Sequence, residues 1–365
     1  MTERLQRFRA LAHKEFLATV KEKTSRMILI GPLVLYIVLF GYIASFNLDR
    51  VPYALCDLSK SALSTQFIQA IDHNRIFQRV GTYNSLAQVP QAVDEANALL
   101  VIVIPENFAD TVYEKKSATI QVIIDGRNST TAQLAAGYLG VIAEAFNARV
   151  LGLESFLTPR LLYNPNSITQ WFIMPGLIAM LSMLQVLILS ALSVAREREQ
   201  GTFEQLLVSP YQTIDLLLAK AYIPMVIGLF QGTLIFLVDL WWFDIPMAGS
   251  IWVLYFALLI FMTSIVGLGL AISAYSETMQ QGLLLVFVFM VPMVLLSGLF
   301  APVQNMPEWL QLLTYADPLR FALTTIRRVY LIGIGFTEVI VGLWPVILMS
   351  LVTLPLAYYF FKKRL

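Results

Sequence analysis

A single cysteine, Cys56, stands in the sequence, so no disulfide can form within the chain. Histidine is almost as rare. His13 and His73 lie far apart, and no Cys/His cluster supplies the usual ligands of a zinc site. Only 13% of the 365 residues are charged, where a soluble domain carries ~25%. The two signs nearly cancel to a net charge of +1, so bulk electrostatics give no footing for nucleic acid. No Gly-Lys pair occurs, which removes a phosphate-binding loop of the G-x-x-x-x-G-K-[ST] type. H-E-x-x-H and G-x-S-x-G are missing too, and with them the commonest signs of a hydrolase. What the sequence has in excess is apolar surface, with 58% of residues hydrophobic. An integral membrane protein with a modest soluble part accounts for both figures.

A membrane-spanning helix needs about 20 apolar residues. Six stretches qualify, at 27–46, 171–195, 216–240, 246–275, 280–300 and 338–361. The first is too long for a cleaved signal peptide and follows a charged segment, so it reads as a retained anchor. Basic residues orient the spans. Arg4, Arg7, Arg9, Lys14, Lys21, Lys23 and Arg26 precede the first, and Lys362, Lys363 and Arg364 follow the last. Six spans bring the chain back to its starting side, so both termini are expected in the cytoplasm. Residues 1–26 then form a basic amphipathic segment along that surface, and 362–365 a short tail. Arg320, Arg327 and Arg328 strain the rule, because they precede the sixth span on the outer side. No charged residue sits centrally in a span, which gives no sign of a proton relay. Lys220 and Asp239 flank the third span and are expected to snorkel. Gly228-x-x-x-Gly232 in that span fits the close-approach motif of membrane helices.

The polar region 47–170 alternates strand and helix. Val51–Cys56, Ala98–Ile104 and Thr119–Ile124 read as strands, and Ser61–Ile71, Ser85–Asn97, Asn107–Lys115 and a long segment from Ser129 to Phe156 as helices. The expected architecture is an α-helical integral membrane protein of six spans with an inserted extracytoplasmic α/β domain. Asp125, Arg127 and Asn128 cluster after a strand, where turn chemistry suffices to explain them.

The most informative polar stretch follows the second span, from Arg196-Glu197-Arg198-Glu199-Gln200-Gly201-Thr202 to Pro210, within a connecting segment at 196–215. Gly201 permits a sharp turn, and Thr202 with Gln205 has the spacing of a capping box. Phe203, Leu206 and Leu207 would give the following short helix an apolar face. Such a helix could dock into a groove on a soluble partner. A solvated charged loop fits the same residues.

Arg-Glu-Arg-Glu-x-Gly-Thr followed by Glu-Gln-Leu-Leu-Val-Ser-Pro after a second span resembles the signature of ABC-2-type transporter permeases. A second match is Leu296-Ser297-Gly298, Pro302, Asn305-Met306-Pro307-Glu308-Trp309-Leu310-Gln311 and Asp317-Pro318-Leu319-Arg320. It resembles the link between the last two spans of that family, with Asp317 where many relatives have Asn. The resemblance covers the whole chain and is greatest to bacterial multidrug-exporter permeases.

The resemblance implies a permease subunit, not an enzyme, in the bacterial inner membrane. Drugs or other small amphipathic molecules would be the cargo, with lipid or glycolipid export as the alternative. A non-transporting receptor or scaffold is a further alternative, of a different class. The chain itself would bind no cofactor, ATP and Mg belonging to a partner ATPase on the cytoplasmic side. A second permease chain, the same or a paralogue, would pair with it. Membrane lipid surrounds it, and a periplasmic membrane-fusion protein and outer-membrane channel are further partners the family allows. Arg196, Glu197, Arg198, Glu199, Gly201, Thr202 and Glu204 would couple to the ATPase. The substrate path would run along spans two and five, past Met174, Met180, Met183, Gln185, Phe287, Phe289, Met290 and Met293. Plain packing is the commoner role of such side chains. Segment 301–335, with Pro302, Pro307, Trp309, Pro318 and Arg320, would form short helices dipping back into the outer leaflet and shielding its arginines.

Overall fold

The computed structural model describes residues 2–21, 23–39, 41, 50–89, 98–114, 118–124, 129–151, 163, 169–202 and 212–363. They belong to two compact units, Phe46–Arg160 and Met1–Ser45 with Leu161–Leu365.

In the first unit, β1 (Val51–Asp57), β2 (Phe77–Tyr83), β3 (Leu100–Ile104) and β4 (Gln121–Ile124) form one sheet in the order β2-β1-β3-β4. β1 pairs in parallel with β2 and β3, and β4 runs antiparallel to β3. β3 reads Leu-Val-Ile-Val-Ile and is buried along its whole length, as a central strand covered on both faces must be. Helix α3 (Ala62–Asp72) starts at a complete capping box between Ser61 and Ser64. It buries Leu63, Phe67, Ile68 and Ile71. Phe67 meets Phe108 of α4 (Phe108–Tyr113) and Phe146 of α5 (Ser129–Leu151), which closes the core.

Strand β2 escapes the sequence pattern. Gln78, Arg79 and Gly81 interrupt it, and its exposed face is that of an edge strand. Arg79 and the Tyr53 hydroxyl both bond Asp72, each at 2.6 Å, which fixes this edge. The helix expected over Ser85–Asn97 is one short 3₁₀ turn at Leu86–Gln88 among the described residues. Residues 90–97 and the Asp125–Asn128 cluster lie outside them.

The second unit is helical: α1 (Thr2–Lys21), α2 (Lys23–Val38), α6 (Thr169–Glu199), α7 (Thr213–Trp241), α8 (Ile251–Tyr275), α9 (Met279–Leu296), α10 (Glu308–Leu313), α11 (Pro318–Leu331) and α12 (Phe336–Lys363). Helices α6, α7, α8, α9 and α12 are long and apolar enough to cross a membrane. The first apolar run begins as α2, and residues 42–49 at its end lie outside the described residues.

Apolar on every side, α6 is the core of this unit and is almost wholly buried within the chain. Small residues let its neighbours approach. Gly228 and Gly232 of α7 face Val186 and Ser182, and Ser182 Oγ donates to the Gly228 carbonyl at 3.2 Å. Gly269 of α8 faces Ser190. Between α8 and α12 a Cβ on Gly267 would meet the side chain of Thr353 and the backbone of Leu354.

Two expectations are corrected here. Lys220 and Asp239 do not snorkel, for both side chains are buried. The α1 helix roofs Lys220 and supplies it with a carboxylate. Asp239 is enclosed at the far end of α7, and its carboxylate oxygens have no hydrogen-bond partner among the described residues.

Candidate functional site

The last two turns of α6 gather four other helices. Gly201 ends α6 in the left-handed region, φ +69°. The Thr202 amide bonds the Glu197 carbonyl at 2.9 Å and the Gly201 amide bonds that of Arg198 at 3.0 Å. This is the Schellman arrangement, in which glycine carries no Cβ penalty. The Thr202 hydroxyl donates to the Glu197 carbonyl as well, at 3.3 Å. The same turn aims the charged side chains in different directions. Glu197 turns inward to Lys220 of α7 at 2.7 Å and to Lys14 of α1 at 2.8 Å. Lys220 also pairs with Glu15 of α1 at 2.8 Å and donates to Ser193 Oγ at 3.2 Å. Arg198 donates to the carbonyls of Ala274 and Ser276 at 3.0 and 2.9 Å, closing the C-terminal end of α8. Glu199 accepts the Met279 amide at 2.8 Å, at the first turn of α9. A carboxylate there also complements the helix dipole.

The sequence brings this cluster close to view and misses its content. Glu197, Arg198, Glu199, Gly201 and Thr202 meet residues of their own chain. Arg196 is buried beside them. Glu204 and the expected helix after Thr202 lie in 203–211, outside the described residues. Lys14, Glu15 and Lys220 belong to the cluster, although the sequence offers Lys14 only as one of the basic residues before the first span and Lys220 only as a snorkelling end. Their one signal was a lysine at the edge of an apolar run, which fits an ion pair as well as a snorkelling end.

Helix α1 is more than a surface layer. Leu11 and Ala12 are buried, and with Phe8 they pack on α6 and α7 residues such as Val194, Leu216 and Ile223. Phe16 remains exposed.

The proposed path residues separate into two groups. Met174, Met180, Met183 and Gln185 of α6 are enclosed by their own chain, at 0–3% exposure. Neither polar atom of the Gln185 amide has a partner among the described residues. On α9, Phe287 and Phe289 are 53% and 45% exposed, with Met290 and Met293 buried behind them. Only the α9 aromatics therefore stand on a free face of the chain.

The segment between α9 and α12 has a 3₁₀ turn at Val303–Asn305, then α10, a second turn at Thr314–Ala316, and α11. Pro302 and Pro307 precede the first turn and α10, and Pro318 opens α11, where a missing amide costs nothing. Trp309 is exposed. Arg320 donates to the Gln311 carbonyl and to Thr314 Oγ1 and lies 4.5 Å over the Tyr315 ring. Arg327 stacks 3.8 Å over Phe172 and donates to its carbonyl at 3.0 Å. Two of the three arginines are thus held by protein, whereas Arg328 is exposed. Asp317 caps α11 through the Leu319 amide at 2.9 Å. Burial pushes its carboxyl up to about 7, against the opposing pull of the capping amides and Arg320.

Among the described residues no group of three or more His, Cys, Asp and Glu could hold a metal.

Residues 23–359 match the family described as ABC-2 family transporter protein. "Probable multidrug ABC transporter permease YbhR" of Escherichia coli (strain K12) is 36% identical over 359 residues, covering 97% of this chain and 98% of that protein. "Probable multidrug ABC transporter permease YbhS" of the same strain is 29% identical, covering 99% of this chain and 98% of that one. "Inner membrane transport permease YhhJ", again of that strain, is 26% identical over 82% of this chain and 80% of its own length.

Proposed function

The chain belongs to the ABC-2 transporter family, and from that membership we propose how it performs transport. It is a multi-pass membrane permease that works with an ATPase subunit and a paired permease chain. We assign drugs or other small amphipathic molecules as the cargo, moved outward across the inner membrane. The multidrug designation of two relatives matched over nearly their whole length supports this class. The α6 terminus and both chain ends lie in the cytoplasm, in keeping with the lysines and arginines concentrated there. The α/β unit and the α10–α11 segment then lie outside. Any membrane-fusion protein would meet that outer side.

The ATPase pulls on 203–211, directly beyond the Gly201 turn. The observation that carries this reading is the cluster itself. Glu197, Arg198 and Glu199 tie one helix end to α1, α7, α8 and α9, so none of these can move alone. Displacement of α6 shifts the start of α9, whose Phe287 and Phe289 face the second chain and the cargo. Arg196–Thr202 thus positions helices, and Glu204 with its neighbours makes the docking contact.

Co-purification tests the function. The tagged chain, extracted from its native membrane in mild detergent, is expected to bring down a P-loop ATPase in stoichiometric amount. Intact, folded chain recovered with no ATPase would overturn the reading.

A further inference from the structure

A second feature of the helical unit lies away from the coupling cluster. Tyr315, in the turn after α10, stands over α12 and closes a groove of 370 Å³ with Trp344, Leu348, Met349 and Val352. From Trp344 to Val352 is eight residues, so the groove runs about 12 Å along the helix at 1.5 Å per residue. Pro345 lies in its wall, inside the helix. No lining residue is charged. The surrounding face of α12 is apolar and exposed, with Val341, Trp344, Leu348, Leu351 and Val352 all more than half exposed. The α12 helix spans the bilayer, so hydrocarbon reaches this face unless protein covers it. A cation is stacked on one wall residue, Tyr315. Arg320 lies 4.5 Å over the Tyr315 ring and spends only Nη1 on Gln311 and Thr314. Among the described residues its Nε and Nη2 make no hydrogen bond. Asp317 is near enough to feel its charge but is buried and turned to the α11 amides.

We propose that this groove is a specific site for one bilayer phospholipid. An acyl chain lies between Tyr315 and α12, and the phosphate is bound by the Arg320 guanidinium. Three features favour a lipid over a second protein chain. The groove is narrow and long, at the low end of the ~300–1,000 Å³ of ligand pockets. Apart from Thr353, whose hydroxyl is spent on the Ser264 carbonyl, its lining is apolar or aromatic, with no row of hydrogen-bonding groups to read a peptide. Arg320, stacked on the wall residue Tyr315, supplies a cation for the headgroup. Arginine forks match phosphate oxygens in pairs. The bound lipid would hold the α10–α11 segment against the last span.

The test uses the full chain, purified in mild detergent, with retained phospholipid extracted and quantified by mass spectrometry. Wild type is expected to retain one phospholipid per chain more than Leu348→Trp, which fills the groove, and more than Arg320→Gln, which removes the headgroup partner. Equal retention by all three overturns the proposal. A second measurement spares the folding of the variants. In liposomes of phosphatidylcholine brominated on the acyl chain, the fluorescence lost between wild type and Trp344→Phe reports contact of that ring with the chain. Strong quenching of the Trp344 component is expected, and it should weaken in Leu348→Trp. A Trp344 component shielded from the bromine overturns the site and points to a covering protein. Neither readout involves the ATPase, so failure here is separate from failure of the coupling account.

Discussion

Replacing Lys220 by methionine is expected to destabilise the permease by ~3–5 kcal/mol, the usual consequence of removing one partner of a buried ion pair. Lys220 is 2% exposed and faces two carboxylates, Glu15 and Glu197, themselves nearly buried. Methionine fills the volume but leaves both carboxylates without their shared cation. Coulomb repulsion between the two then adds to the desolvation of each. The effect should fall first on α1, whose attachment to α6 and α7 depends on Glu15 and Lys14. The measurement is the midpoint of thermal unfolding of the detergent-purified chain. A second variant separates charge from packing. Lys220→Met combined with Glu15→Gln and Glu197→Gln should recover much of the loss, because the one partner left without its carboxylate, Lys14, is half exposed and hydrated by solvent. Strict additivity of the three substitutions would show that the cluster is not one interacting unit.

Gly267→Val is expected to cost ~1–3 kcal/mol through overpacking, at a close approach of α8 and α12. The Cβ of any residue there would meet Thr353 Cβ at 2.9 Å and the Leu354 amide nitrogen at 3.0 Å. A side chain can rotate away, but the backbone of α12 cannot. Thr353 is also held, since its hydroxyl donates to the Ser264 carbonyl at 3.3 Å. The helices must therefore separate locally, and the packing of the last span around Thr353 is loosened. Gly267→Ala should be milder, and Thr353→Ala in the same chain should relieve part of the strain. Unfolding midpoints of the single and double variants check this. Full wild-type stability of Gly267→Val would contradict the close crossing.

The apolar runs betrayed the long helices because hydrocarbon imposes one rule on every turn. Length and hydropathy alone place α6, α7, α8, α9 and α12. Strand β3 was legible for a similar reason, its five residues being apolar throughout. Strand β2 was not, because an edge strand keeps polar side chains and an unpaired flank. The coupling motif was visible as Arg-Glu-Arg-Glu followed by Gly-Thr, and the left-handed turn at Gly201 follows from glycine there. Its partners were hidden. Glu197 and Lys14 are 183 residues apart, and Lys220 and Glu15 205. One sequence read alone carries no trace of such pairings. The same limit explains Lys220, whose long side chain suits snorkelling and burial alike until a carboxylate is placed above it. It explains Met174, Met180 and Met183 too, because methionine packs a core as readily as it lines a path.

The central claim is that Arg196–Thr202 transmits motion within the permease. Glu199→Ala tests it most directly. Glu199 is exposed and gives up one hydrogen bond to the Met279 amide, ~0.5–1.5 kcal/mol, so the chain should fold and bind its ATPase. ATP hydrolysis and cargo movement are measured together in proteoliposomes holding the permease and its ATPase. The account predicts hydrolysis near the wild-type rate with cargo movement strongly reduced, because α6 no longer drives α9. Cargo movement that stays in proportion to hydrolysis would contradict it.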